Sequence, residues 1–176
     1  MCCLCNYFNI IRIYIKVKFQ KMTTINLTTK IKAPIHKVFD LNRNIDIHKV
    51  STSKSDETAI DGITSGWINL NESVTWRGKH FGIYLTHKSI ISAMQIPYYF
   101  VDEMVEGSFK SFKHQHTFKE ENENTIMEDR IQYETPFGFF GFIFEKFVLK
   151  NYLTSFITQR NHFIKNLAEK EVYEIN

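Results

Sequence analysis

The feature that most constrains this chain is a long segment near its carboxyl end, residues 140–170. Apolar side chains recur there at steps of three and four, which places them on one face of a helix: Leu149, Tyr152, Leu153, Phe156, Phe163 and Leu167. Polar side chains fall on the other face: Lys146, Lys150, Thr158, Asn161, Lys165 and Glu169. A helix of roughly 30 residues is about 45 Å long. Its apolar face therefore needs a broad partner surface.

The residues before this helix alternate between apolar and polar side chains, as β-strands do. A first strand is predicted at 24–31, and strand-like segments then follow in quick succession at 67–80, 83–94, 97–106, 111–120 and 125–134. The segment 67–80 is expected to break near Asn69 into two strands, which makes seven in total. Because the connections are short, the strands are expected to form an antiparallel meander.

Two short helices are predicted between the first strand and the meander. Pro34 opens the first helix, with Ile35, Val38 and Phe39 on its buried side, and the second covers residues 44–48. The polar segment 51–65 is expected to be the least structured part of the domain and a candidate flexible lid. The prediction is an α+β domain in which a curved, seven-stranded antiparallel sheet wraps around the long carboxyl-terminal helix.

Residues 1–21 differ in composition from the rest of the chain. They contain four of the cationic residues, no acidic residue and all three cysteines: Cys2, Cys3 and Cys5. They lack the order of a secretory signal, since the cations come late and Arg12 interrupts the apolar run. We expect this leader to be an upstream extension of the reading frame, with Met22 as the natural start. The domain is then 22–170, with a tail at 171–176.

Charge and cysteine content narrow the partners and the compartment. The chain has 176 residues and a net charge of +3, of which the leader contributes +4, so the rest carries −1 and gives no basic footprint for nucleic acid. The cysteine-free body favours a cytoplasmic location. No run of about 20 apolar residues predicts a transmembrane segment, although transient membrane contact stays open. The lone C-x-x-C predicts no metal site, and no cofactor is expected; the sequence does not indicate an oligomeric state.

The inward faces of the predicted strands are apolar except at four residues: His80, His114, His116 and Asp129. A hairpin turn around Glu121 places His114 or His116 opposite Asp129. A turn near Ser108 places His114 opposite Asp102 or Glu103, depending on one residue of register. Opposed side chains have Cβ atoms about 5 Å apart. An inward histidine beside a carboxylate is therefore expected in either register.

Four interpretations of these polar residues stay open. They form a histidine–carboxylate pair that holds the sheet together, a polar patch that orients a ligand in an apolar cavity, a proton-transfer site, or a three-histidine metal site of His80, His114 and His116. The predicted polar ligand-binding residues are His80, Asp102, His114, His116 and Asp129. The predicted cavity walls are Trp76, Phe100, Met104, Phe112, Tyr133, Leu153 and Phe156. Arg160 lies within the apolar stripe of the final helix. It is expected to extend to the surface, and the alternative is contact with a carboxylate or an acidic ligand.

Several short segments resemble one known superfamily. The strand at 24–31 followed by Ala33-Pro34-Ile35-His36-Lys37-Val38-Phe39-Asp40 resembles the opening of SRPBCC proteins, which have the START or birch-pollen-allergen helix-grip fold. Glu72-Ser-Val-Thr-Trp-Arg-Gly-Lys-His-Phe-Gly82, Phe100-Val-Asp-Glu-Met104 and Tyr133-Glu-Thr-Pro-Phe-Gly138 resemble a bacterial subgroup of ligand-binding SRPBCC proteins, similar to polyketide cyclases and dehydratases. The resemblance covers residues 22–170.

The resemblance implies a cavity between the curved sheet and the carboxyl-terminal helix. Across the superfamily such cavities serve lipids, sterols, quinones, polyketides or hormones, and some members are cyclases or dehydratases. No catalytic motif of the subgroup transfers to this chain. The function predicted is therefore non-catalytic binding or carriage of a small hydrophobic molecule. The alternatives are a cyclase or dehydratase that uses a histidine–carboxylate pair, and a protein-interaction or chaperone-cofactor domain.

Overall fold

A computed structural model describes residues 22–136 and 138–170 of the protein. The predictions for the leader 1–21 and the tail 171–176 lie outside these residues. The strands are β1 (Thr23–Ile31), β2 (Thr58–Gly62), β3 (Ser73–His80), β4 (Ile83–Gln95), β5 (Tyr99–Glu106), β6 (Ser111–Glu121) and β7 (Asn124–Glu134). The helices are α1 (Ile35–Asn42), α2 (Ile45–Ser51), α3 (Gly138–Phe144) and α4 (Lys150–Lys170), with a 3-10 turn at Ser53–Ser55 and a π-helical turn at Glu145–Leu149.

The seven strands form one antiparallel sheet in the order β1-β7-β6-β5-β4-β3-β2. The strands from β3 to β7 are a meander, and β1 joins the free edge of β7. The final helix packs on β1, α1 and α2. The predicted fold class is thus confirmed: a seven-stranded antiparallel sheet, two short helices after the first strand and a long helix at the carboxyl end. Among the described residues, no helix has the length and apolar composition needed to cross a membrane.

The two short helices begin as their sequences predict. Pro34 precedes the first turn of α1, which buries Ile35, Val38 and Phe39. Asn44 caps α2, since its side-chain oxygen accepts hydrogen bonds from the backbone N–H groups of Asp46 and Ile47 at 2.9 and 3.0 Å. Asn44 thereby satisfies two of the backbone N–H groups that the start of α2 leaves without a partner within the helix.

The seventh strand is not where the sequence predicts it. Residues 67–72 form no strand, and β2 comes instead from the segment 51–65, which was predicted to be a lid. β2 pairs with β3, so Thr58 lies opposite Arg77 and Gly62 lies opposite Val74. The prediction that the segment 51–65 is unstructured was wrong. Its polar side chains suit an edge strand, because such a strand is solvated on most sides. Backbone hydrogen bonds to β3 hold this segment in place.

The final helix differs from prediction in the line of residues that it buries. The most buried residues of α4 are Ile157, Arg160, Asn161, Ile164 and Ala168, whereas Phe163 and Leu167 are only half-buried. Asn161 was predicted on the exposed face and Arg160 at the surface, and both predictions were wrong. Each polar side chain has hydrogen-bond partners inside the domain, described below, which offsets its loss of contact with water.

Candidate functional site

A cavity of about 60 Å³ lies between the sheet, α2 and the final helix. Its walls are apolar side chains from α2, α4, three strands and the loop before β3: Ile45, Ile68, Val74, Trp76, Ile91, Phe100 and Ile157. Its buried polar lining comes from Asn42, His114, His116 and Arg160, together with half-buried Asp102. The remaining lining residues, Arg43, Asn44 and His48, are half-buried and mark its outer side.

A cluster of two histidines and one carboxylate occupies the inner wall of this cavity. The pairing of β6 with β7 places His116 directly opposite Asp129, and His114 lies two residues away on the same face. His114 Nε2 and His116 Nδ1 each lie 2.8 Å from Asp129 Oδ1. Asn161 of α4 donates a 2.6 Å hydrogen bond to the other oxygen, Asp129 Oδ2. We call His114, His116 and Asp129 the His–Asp cluster.

Burial and mutual contact set the charges of the His–Asp cluster. Burial, reinforced by the nearby His114, lowers the pKa of His116 to about 3, so this imidazole is neutral at pH 7. Burial acts to raise the pKa of Asp129, but its contacts with the two histidines outweigh that effect and lower the pKa well below its ordinary value. Asp129 is therefore a carboxylate in a site that is almost closed to water.

Arg160 and Asp102 add two opposite charges to the same cavity. Arg160 is 4% exposed and donates hydrogen bonds to the side chain and the backbone carbonyl of Asn42, at 3.1 and 2.9 Å. Burial lowers the pKa of Arg160, and the negative charges of Asp129 and Asp102 counteract part of that shift. Register places Asp102 opposite His114, which settles the choice between Asp102 and Glu103. Asp102 Oδ1 is buried and makes no hydrogen bond to any described residue.

A second polar group lies outside the cavity's inner wall. Glu57, between the 3-10 turn and β2, contacts His48 Nε2 at 2.9 Å and His80 Nε2 at 3.5 Å. His80 Nδ1 is 2.7 Å from the hydroxyl of Tyr152 on α4. Burial acts to raise the pKa of Glu57, but the hydrogen bonds from His48 and His80 lower it below its ordinary value. We call His48, Glu57, His80 and Tyr152 the Glu57 cluster.

The structure brings together only part of the predicted site. His114, His116, Asp102, Trp76 and Phe100 line the cavity, and Asp129 lies behind the two histidines. His80 belongs to the Glu57 cluster, so the predicted three-histidine arrangement of His80, His114 and His116 is wrong. The remaining predicted wall residues lie outside this cavity: Met104, Phe112, Tyr133, Leu153 and Phe156. All of them except Met104 pack in a second apolar cluster around Tyr133. Their contact with a ligand stays a prediction.

Sequence reasoning missed Asn42, His48, Glu57 and Asn161, and it favoured a surface position for Arg160. Asn161 carried a signal, because Ile157, Asn161, Ile164 and Ala168 follow the 3.6-residue period of a helix and define a buried line. Glu57 carried none, since it precedes a short strand with mostly exposed residues. Asn42 and His48 lie on short helices whose inward direction depends on tertiary packing.

Comparison of the sequence with protein-family models and with curated proteins gives no match. Comparison of the fold with solved structures does give matches. The Zhui aromatase/cyclase from Streptomyces sp. R1128 has a TM-score of 0.72 at 10% sequence identity, over 88% of this chain and 98% of that chain. Ginseng major latex-like protein 151 from Panax ginseng has a TM-score of 0.61 at 18% identity, over 84% of this chain and 97% of that one.

These structural neighbours are members of the SRPBCC superfamily. The chain therefore shares the helix-grip fold of these neighbours, the fold that the resemblance of its sequence segments implied. At these levels of identity, the likeness shows the fold alone. The function has to be argued from the cavity and its side chains.

Proposed function

We propose that the protein binds a small, mainly apolar molecule between the sheet and the final helix, with the polar end of that molecule against the His–Asp cluster and Arg160. The observation that supports this proposal is the division of the cavity lining. Seven apolar side chains line the cavity. Its buried polar lining consists of two pairs in mutual contact or bonded to a common partner: His114 and His116 on Asp129, and Arg160 with Asn42. A few converging polar groups in an apolar cavity are typical of sites that bind and orient small molecules.

The size of the cavity limits how such a molecule is held. About 60 Å³ is room for a few water molecules, whereas sites that enclose a drug-sized ligand measure about 300–1,000 Å³. In our proposal the polar end of the ligand occupies this space. The rest of the ligand extends past the half-buried side chains of Arg43, Asn44 and His48, which have to move to admit it.

The experiment is native mass spectrometry of the protein purified from its own cells, followed by extraction of any bound compound. A stoichiometric adduct that is lost on denaturation is the expected result. His114→Ala should then weaken binding of the extracted compound at least about fivefold, because one polar contact is worth about 1 kcal/mol or more. Gln115→Ala is the matched control, since Gln115 lies on the opposite face of β6.

Two outcomes would contradict the proposal. One is a protein that carries no small molecule from its own cells and takes up none from an extract of them. The other is unchanged affinity of His114→Ala together with a lowered melting temperature, which would make His114 a structural residue that holds β6 to β7. The predicted cytoplasmic location is tested with the same cells by fractionation.

A second candidate function is acid–base catalysis of the cyclase or dehydratase class. The observation that favours it is that His114 lies 2.8 Å from a carboxylate and also lines empty space, as a proton-transfer group must. The neighbouring aromatase/cyclase gives this class a precedent on the same fold. Conversion of the extracted compound by the protein, lost in His114→Ala, would distinguish catalysis from carriage.

Fewer observations support the third predicted class, a protein-interaction domain. Apolar side chains of α3, the π-helical turn and the β3–β4 connection are exposed: Phe81, Ile83, Ile143, Phe144, Phe147 and Val148. Phe81 packs on Phe144 and Tyr152, with ring centroids 5.3 and 4.5 Å apart. Nothing in the described residues indicates a partner for this surface, so we base no proposal on it.

A further inference from the structure

We propose that His114, His116 and Asp129 bind a divalent transition-metal ion at the inner wall of the cavity. This site goes beyond the small-molecule proposal and does not depend on it. Each of the three residues offers one ligand atom, and the three atoms lie within 4.8 Å of one another. Strand pairing fixes all three, because His114 and His116 are on one face of β6 and Asp129 faces them from β7.

The distances fit a shared ion. Ligand atoms about 2.1 Å from a metal, at the angles of tetrahedral or octahedral coordination, are about 3.0–3.4 Å apart. Both histidine nitrogens are 2.8 Å from Asp129 Oδ1, so each nitrogen–oxygen pair needs to separate by only a few tenths of an ångström, and the two nitrogens lie within 4.8 Å of each other. Binding therefore requires small side-chain movements and no change of strand register.

The second observation concerns the bonding of His116. Its Nδ1 is buried and lies 2.8 Å from Asp129 Oδ1, yet it makes no aligned hydrogen bond with any described residue. The oxygen therefore lies away from the direction in which an N–H would point. A close contact with this misalignment is expected where a nitrogen and an oxygen both direct a lone pair at a third atom. Buried polar atoms otherwise find partners.

The ligand set and its surroundings suit a metal of intermediate softness. Two imidazoles and one carboxylate bind Zn²⁺, Fe²⁺, Co²⁺ or Mn²⁺ and leave further coordination positions for water or a ligand. Asn161 holds the free oxygen of Asp129 at 2.6 Å, which orients the carboxylate. His114 and His116 both line the cavity, so the open positions would face it.

Charge within the cavity also permits a cation. The positive charge of Arg160 repels a cation, but two hydrogen bonds hold its guanidinium on Asn42. Two carboxylates, Asp129 and Asp102, outnumber this single positive charge. Asp102 Oδ1 has no hydrogen-bond partner among the described residues, which leaves it available to a metal-bound water. The acidic excess is therefore on the side of the cavity where the ion would lie.

The test uses the untagged full chain with Cys2, Cys3 and Cys5 replaced by Ser, so that the leader thiols cannot bind the metal. Metal is removed with a chelator, and Co²⁺ is then titrated as a visible-absorption probe, with Zn²⁺ measured by equilibrium dialysis. We expect one equivalent to bind. His116→Gln should lower the affinity at least about 100-fold, whereas His162→Gln, at an exposed position, should leave it unchanged.

A measurement on the protein without a histidine substitution keeps the test independent of whether His116→Gln folds. Zn²⁺ should shift the imidazole nitrogen resonances of His114 and His116 and leave those of exposed His36 and His162 in place. Absence of stoichiometric binding, or binding that His116→Gln and His162→Gln weaken equally, would overturn the metal site. Because no organic ligand is added, failure here is separate from failure of the small-molecule proposal.

Discussion

Arg160 donates two hydrogen bonds to Asn42, which lies 118 residues earlier in the chain, and both side chains are buried. The guanidinium contacts the side-chain oxygen of Asn42 and its backbone carbonyl at the end of α1. This contact joins the final helix to the first one. It also holds a positive charge at the inner end of the cavity, where the strands alone contribute carboxylates and histidines.

Arg160→Lys should lower the free energy of unfolding by about 1–3 kcal/mol, measured by urea denaturation. Lysine keeps the charge, but its single ammonium group cannot reproduce the fork that reaches both oxygens of Asn42. Arg130→Lys, at an exposed position on β7, is the matched control and should change stability by less than about 0.5 kcal/mol. Equal effects of the two substitutions would mean that the buried contact does not contribute to folding.

Asn161→Leu should destabilise the protein by about 2 kcal/mol, because it removes the donor that satisfies a buried carboxylate oxygen of Asp129. Leucine has the same branched arrangement of side-chain heavy atoms and is a better helix former, so helix propensity does not account for such a loss. Asn151→Leu on the exposed side of the same helix is the control. Thermal unfolding of both variants measures the difference, and a stabilised Asn161→Leu would contradict the role of this bond.

Glu57→Gln should lower stability by about 1–3 kcal/mol near pH 7, and the deficit should shrink in acid. The pKa of Glu57 is lowered in the folded protein from an ordinary value of 4.5. Its ionised form therefore adds stability above about pH 4.5, and that stability is lost as the pH falls below this value, because the unfolded chain then takes up the proton first. The measurement is urea denaturation between about pH 7 and pH 3.5.

The control for Glu57 is Glu120→Gln on the exposed end of β6, whose effect should be small across the whole range. A deficit for Glu57→Gln that stays constant or grows below pH 4.5 would show that the carboxylate is not stabilised by His48 and His80. Such a result would remove the electrostatic reason for the Glu57 cluster.

Gly62→Ala should destabilise the protein much more than Gly66→Ala. Both glycines have a positive φ, 75° and 73°, so an alanine at either one costs about 1–2 kcal/mol of backbone strain. A Cβ at Gly62 would in addition collide with the carbonyl of Ser73, whereas at Gly66 it meets nothing within 4 Å. Equal melting temperatures for the two variants would place β2 away from β3, as a lid-like segment would be.

The fold was predictable because hydrophobic alternation and short turns determine most of it. In β6 and β7 the period-2 pattern correctly directed His114, His116 and Asp129 inward, and turn positions limited their register to a choice that the structure settles. The position of the seventh strand was not predictable, because β2 is held by backbone hydrogen bonds and its side chains are mostly exposed. Local hydrophobicity carries no information about such a strand.

Arg160 and Asn161 escaped prediction for a different physical reason. Polar residues on a helix are usually solvated, and they can be buried only if distant groups satisfy them. Their partners, Asn42 and Asp129, lie 118 and 32 residues away. The local sequence therefore does not indicate which group each of them contacts. The partners of His80 were unpredictable for the same reason, since Glu57 lies 23 residues before it and Tyr152 lies 72 residues after it.

The π-helical turn at Glu145–Leu149 lies between α3 and α4. One extra residue per turn rotates everything before it by about 100° relative to everything after it. Substitutions in 138–144 can therefore change the surface of α3 while Arg160 and Asn161 on α4 stay directed inward. We expect the sequence to diverge rapidly among relatives in 138–144 and slowly at the residues of α4 that face the cavity.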